Sequence, residues 1–153
     1  MRKRRACQAV ALRLGINPNR VAALVQRCSE AGLLPVACGS DRPHLTNLEL
    51  ARLVLVAVSD NGLGNAPATL REFAALESNG LRLDDWLESL LAGRVNAEPV
   101  VSVIFQLEPA ACTVISASSQ LDFGQRSDSP TTRVTAISGE ALRAIIGDFN
   151  GLG

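Results

Sequence analysis

Residues 7–26, CQAVALRLGINPNRVAALVQ, constrain the chain more than any other stretch. Cys7, Val10, Ala11 and Leu14 repeat at i, i+3, i+4, i+7, the spacing of one helix face, and predict a helix over about residues 5–14. Gly15 stops it, because glycine takes the left-handed backbone that a bulkier residue resists. Asn17 is a good cap for a second helix, and Pro18 falls at the first helical position, where its missing N–H costs nothing. That helix should run to about residue 31, with Val21, Leu24, Val25 and Cys28 inward and Gly32 as its stop. Small Ala11 lets the second helix cross the first closely, and Val21 and Leu24 point back at Val10 and Leu14. The rest of the chain reads as what is attached to this pair.

The 153 residues are enough for one domain or two small ones, and 47% apolar content allows a real core. No apolar run approaches the roughly 18 residues of a membrane span, and MRKRR leads into an amphipathic segment instead of a signal-peptide core. A soluble protein of a bacterial or infected-host cytoplasm is expected. The formal net charge of zero hides a split. Residues 1–35 hold seven basic side chains against Glu30 alone, whereas the remainder hold eight basic and fourteen acidic ones. Such asymmetry implies that one end meets a polyanion. The arm formed by Arg2, Lys3, Arg4 and Arg5 could contact phosphate either as a solvated tail or as an ordered segment.

The exposed side of the second helix should consist of Asn19, Arg20, Ala22 or Ala23, Gln26, Arg27 and Glu30. Asn and Gln bond bidentately to adenine, and Arg to guanine or phosphate, from a helix lying in the major groove. Ala22 and Ala23 would allow close approach to the bases. The competing reading is an ordinary helical hairpin with a polar face. The turn pattern, the Asn17–Pro18 cap and the local charge together favour DNA.

Residues 7–35 resemble the helix-turn-helix units of bacterial and phage DNA-binding proteins. RVAALVQRCSEAGLLP is similar to the recognition helix and exit of winged-helix regulators. The resemblance implies a double-stranded DNA partner and contacts from Asn17, Asn19, Arg20, Ala22, Ala23, Gln26 and Arg27. It also implies a short or degenerate wing over residues 36–45, with Arg42 and His44 near phosphate; the chain departs from the family pattern there, since Pro43 and the helical stretch after it leave no clear second strand.

Beyond that unit, Thr46 and Glu49 supply a capping box, and residues 48–58, LELARLVLVAV, are apolar nearly all round. Such a helix must be buried, as the centre of the domain or as a subunit interface. A helix over about residues 67–78 should end at Asn79-Gly80. Asp84 should cap a further helix with Trp86, Leu87, Leu90 and Leu91 inward and Gly93 closing it. After Glu98 the period changes. VVSVIFQL and ACTVISAS read as strands about a hairpin turn at Glu108-Pro109, LDFG as a short strand and TRVTAI as another. Ser138 should cap a last helix with Leu142, Ile145, Ile146 and Phe149 on one face. The expected fold is α+β: a helix-turn-helix unit with its basic arm (1–44), a helical core or oligomerisation region (45–96), and a small antiparallel β-meander with a C-terminal helix (97–153).

No phosphate-binding loop, GxSxG or HExxH motif is present, and one histidine leaves little for imidazole catalysis. Cys28, Cys38 and His44 match no common zinc-finger spacing, and Cys7 and Cys28 fall at positions suited to burial. Neither an enzyme nor a metal or cofactor site is expected. The expected function is a bacterial or phage transcriptional regulator. The order of parts also resembles a phage small terminase subunit, which would recognise DNA for packaging. A third reading is an interaction protein that never meets DNA. Single helix-turn-helix units bind weakly, so a homo-oligomer, dimer or ring, is expected. The C-terminal sheet is a candidate surface for self-association or for a larger protein partner.

Overall fold

The computed structural model describes residues 1–36, 44–127 and 131–151. Three helices come first: α1 (Lys3–Leu14), α2 (Pro18–Glu30) and α3 (Asn47–Val58). A single 3-10 turn at Leu63–Asn65 leads into α4 (Ala66–Ala74), the short strands β1 (Glu77–Ser78) and β2 (Leu81–Arg82), and α5 (Leu83–Leu91). Strands β3 (Val100–Gln106), β4 (Ala111–Ser116), β5 (Gln120–Phe123) and β6 (Val134–Ser138) follow, and α6 (Gly139–Phe149) ends the series. The class is α+β, as expected.

The local signals act where they were read. Gly15 sits at φ 66° and ψ 32° beyond α1, and the Asn17 side chain accepts from the Asn19 amide at the start of α2. The full capping box of Thr46 and Glu49 opens α3, and Ser138 accepts from the Ala141 amide to open α6.

Helix α3 is central within one chain. Leu50, Ala51 and every residue from Leu53 to Val58 are buried, and α1, α2, α4, α5 and β6 all lie against it. Three β-branched valines weaken its intrinsic helicity by only a few tenths of a kcal/mol each. Burial of each Leu or Val contributes about 1.5–3 kcal/mol, so packing decides the matter.

Four expectations need correction. Helix α1 starts at Lys3 and not at residue 5, so most of the basic arm is helical. The Arg2 carbonyl accepts the Ala6 amide, Arg2 forms a backbone bridge with His44, and the Leu45 amide donates to the Met1 carbonyl at 2.8 Å. These bonds anchor the chain start and let the first turn extend to it. Helix α4 ends at Ala74, four residues early. Asn79 (φ 52°) and Gly80 (φ 82°) turn the chain between β1 and β2, pairing Glu77 with Arg82 and Ser78 with Leu81. Positive φ at both central residues matches the twist of a two-residue hairpin.

Asp84 does not cap α5; Arg82 holds that position without a side-chain bond. The Leu83 amide donates to the Leu76 carbonyl, which ties the helix start to the hairpin. The Asp84 carboxylate turns inward, 2% exposed, to Arg82 Nε at 3.1 Å and Arg52 Nε at 3.7 Å.

The fourth correction concerns the sheet. β3, β4 and β5 form the expected meander, but β6 returns beside β3, giving the antiparallel order β5-β4-β3-β6 of a Greek key. The end of β5 is already tied to β1, because the Gly124 amide that follows it donates to the Glu77 carbonyl. The open edge was that of β3. Val103, Phe105, Cys112, Val114, Phe123 and Ile137 face inward and share one apolar cluster with the helices. Tilted aromatic pairs join the two layers: Phe73 with Phe105 at 6.1 Å and Trp86 with Phe123 at 5.9 Å. Among the described residues, no helix is long and apolar enough to cross a membrane.

Candidate nucleic-acid interface

Helices α1 and α2 are joined by the turn Gly15–Asn17 and pack against each other, with Val10, Ala11, Val21 and Leu24 buried in the shared core. Their outer faces diverge from that contact and leave a groove of about 280 Å³. Lys3, Arg4 and Gln8 line it from α1, and Asn19, Ala22 and Gln26 from α2, over a floor that includes Cys7 and Val25. Cations and amides with no acidic side chain therefore share one concave strip. Gln8 was not among the residues singled out from the sequence. Its signal was its place one turn after Arg4 on the polar face of the same helix.

The other residues proposed for DNA contact are distributed as follows. Asn17 is exposed but engaged, its Oδ1 accepting from the Asn19 amide at 2.8 Å. Lys3 is half-buried: its Nζ donates to Ser29 Oγ at 3.2 Å and to the Pro35 carbonyl at 3.1 Å, tying the start of α1 to the exit of α2. Arg20 is turned sideways, with Nε and Nη2 donating to Asp60 at 2.8 and 2.9 Å. Gln26 is exposed and donates weakly to Glu30 at 3.4 Å, and Arg27 stands 4.0 Å from the same carboxylate. Ala22 is exposed, whereas Ala23 is half-buried. Arg42 and Cys38, with most of the expected wing, lie outside the described residues.

No family model, curated protein or solved structure matches this chain.

Arg2, Arg5 and His44 do not join the groove. They line a separate cleft of about 570 Å³ on the other side of α1, opposite Phe149 and Asn150 at the end of α6. Asp148 reaches the same cleft but is taken up by Arg13, in a two-pronged pair of 2.7 and 2.9 Å. Hydrogen bonding to Arg13 holds the Asp148 carboxyl below the ordinary carboxylate range, and the Arg20 bond does the same for Asp60, helped by the Gly62 amide. The basic end of the chain thus presents two faces. One is flanked by α2; the other is flanked by α6.

Cys7, Cys28 and Cys112 are buried thiols. Burial pushes Cys7 and Cys28 up to about 11 and Cys112 higher still. Such thiols are poor nucleophiles at neutral pH, since the thiolate is the reactive form.

Proposed function

We propose that this chain is a DNA-binding protein of the helix-turn-helix kind, acting as a bacterial or phage transcriptional regulator in the cytoplasm. The observation that carries the reading is the α1–α2 groove. Its walls offer Lys3 and Arg4 on one side and Asn19 and Gln26 on the other, separated by small Ala22. Amides at these positions suit base edges, and the cations suit flanking phosphates. The N-terminus of α2 faces the same strip and adds its partial positive charge. Arg27 extends the strip along the exposed side of α2, and Arg2, Arg5 and His44 offer a second line of phosphate contact across α1.

The test is a mobility-shift titration against genomic fragments at two salt concentrations. Arg4→Ala is expected to weaken binding to all fragments and to reduce the salt slope by about one phosphate contact. Gln26→Ala should instead reduce the preference for one fragment by about 1–3 kcal/mol while leaving that slope unchanged. Absence of binding at the lower salt would reject the reading in favour of a protein-interaction module. Binding by a ring of about eight to twelve copies, as the resemblance to small terminase subunits implies, would move the role from regulation to packaging.

A further inference from the structure

The two edges of the four-stranded sheet are treated differently. β5 carries Asp122 and is abutted by β1 through the bond from the Gly124 amide to the Glu77 carbonyl. β6 is the other edge strand, and among the described residues no strand is hydrogen-bonded to its outer side. Folded proteins guard open edges with charged side chains, prolines or bulges, because an unguarded edge recruits another strand. The β6 sequence, VTAIS, contains none of these. Val134 is 55% exposed, and Ala136 beside it is exposed as well.

We propose that β6 pairs antiparallel with β6 of a second copy of this chain, joining two four-stranded sheets into one of eight strands. The occupant follows from the charges at the ends of the strand. Exposed Arg133 precedes β6 and exposed Glu140 follows it. A two-fold pairing centred on Ala136 sets Val134 opposite Ser138 of the partner subunit and Arg133 opposite Gly139 of the partner subunit, one residue from Glu140 of the partner subunit, at both ends. A parallel pairing would instead stack like charges. An edge that pairs with itself about a two-fold axis closes at two copies, so the arrangement is a dimer and not a filament. Main-chain hydrogen bonds supply the attraction and the end charges fix the direction. None of this depends on the DNA reading.

Sedimentation equilibrium of the full chain tests it. The wild-type chain is expected to be a dimer. Arg133→Glu and Glu140→Arg, each placing like charges together twice, should each weaken self-association at least about tenfold, and the double exchange should restore it. Ala136→Lys, which puts a charge on the edge, should give a monomer. Arg133 also donates to Asn61 and Glu140 lies in the first turn of α6. Thermal melting followed by circular dichroism therefore accompanies each variant, and the rescue by the double exchange separates loss of pairing from loss of fold. A wild-type chain that is monomeric at about 100 µM, where any tighter pairing would be populated, overturns the proposal. So does an oligomer of any size that both single charge reversals leave intact.

Discussion

Arg20, on the helix proposed to read DNA, forms a two-pronged ion pair with Asp60, forty residues further along the chain. Asp60 lies just past the end of α3, and its Oδ1 also accepts the Gly62 amide at 3.0 Å. The neighbouring Asn61 is bonded by Arg133 and donates to Glu108 at 3.1 Å. A continuous polar chain therefore runs from α2 through the loop after α3 to the β3–β4 turn. Its spacing alone marks Arg20 as a surface residue available to DNA; in the fold it also braces α2.

That double role gives the first prediction. Arg20→Ala should lower the melting temperature as well as any DNA affinity, whereas Gln26→Ala should leave the melting temperature nearly unchanged. Comparing the two melts by circular dichroism decides it. An Arg20→Ala protein as stable as the wild type would show that the pair with Asp60 is energetically idle, as many exposed pairs are.

The second prediction concerns acid. Asp60 and Asp148 are both held below their ordinary pKa by arginine partners. A carboxyl lowered in the folded state adds stability that is fully present above its unfolded value and is lost as pH falls through the lowered folded value. Asp60→Asn and Asp148→Asn should therefore each cost stability at neutral pH and flatten the decline of stability below about pH 4. Urea denaturation at neutral pH and at about pH 3 reads both ends. Equal losses for variant and wild type over that interval would mean that other carboxyls dominate. Because both pairs are partly solvated, the neutral-pH cost should be small.

Gly139, at the β6–α6 junction, gives a third. A Cβ there would lie 1.9 Å from the Val100 carbonyl oxygen and 2.9 Å from Arg143 Nη1. That Nη1 itself bonds the Ala97, Glu98 and Val100 carbonyls at 2.9–3.3 Å, clamping α6 to the chain entering β3. A methyl group cannot enter without moving the clamp. Gly139→Ala should destabilise by about 1–3 kcal/mol, the usual cost of overpacking, seen as a lower urea midpoint at an unchanged slope. A cost under about 0.5 kcal/mol would show that α6 can slide away from β3 freely.

Trp86 is the only tryptophan, and it stands on α5 against Phe123 of β5. Its emission therefore reports on the contact between the helical layer and the sheet, while far-ultraviolet circular dichroism reports mainly on the helices. Since the buried residues of both layers belong to one apolar cluster, the two denaturation curves should coincide. Separate midpoints would mean that helices and sheet unfold as independent units.

Much of the backbone was legible because its signals are local. Apolar spacing in α1, α2 and α6 and the caps at Asn17, Thr46 and Ser138 act within one or two helical turns. The β1–β2 hairpin was equally local, and the Asn79-Gly80 pair was its mark. The apolar spacing of α4 runs on to that pair and masks the hairpin. Asp84 misled for a related reason. An acidic residue before an amphipathic stretch resembles a cap, and only the arrival of Arg52 from α3 shows why its carboxylate is buried.

Near neighbours along the chain specify an α+β fold with a basic helical hairpin at one end and a strand-rich segment at the other, since periodicity, capping residues and charge content are local. Tertiary structure alone decided that β6 returns beside β3, that Arg20 leans on Asp60, and that the basic residues divide between the α1–α2 groove and the cleft beside α6. Each of these joins groups far apart in the chain. Which distant group fills a given edge or meets a given charge is settled only when the whole core closes around them.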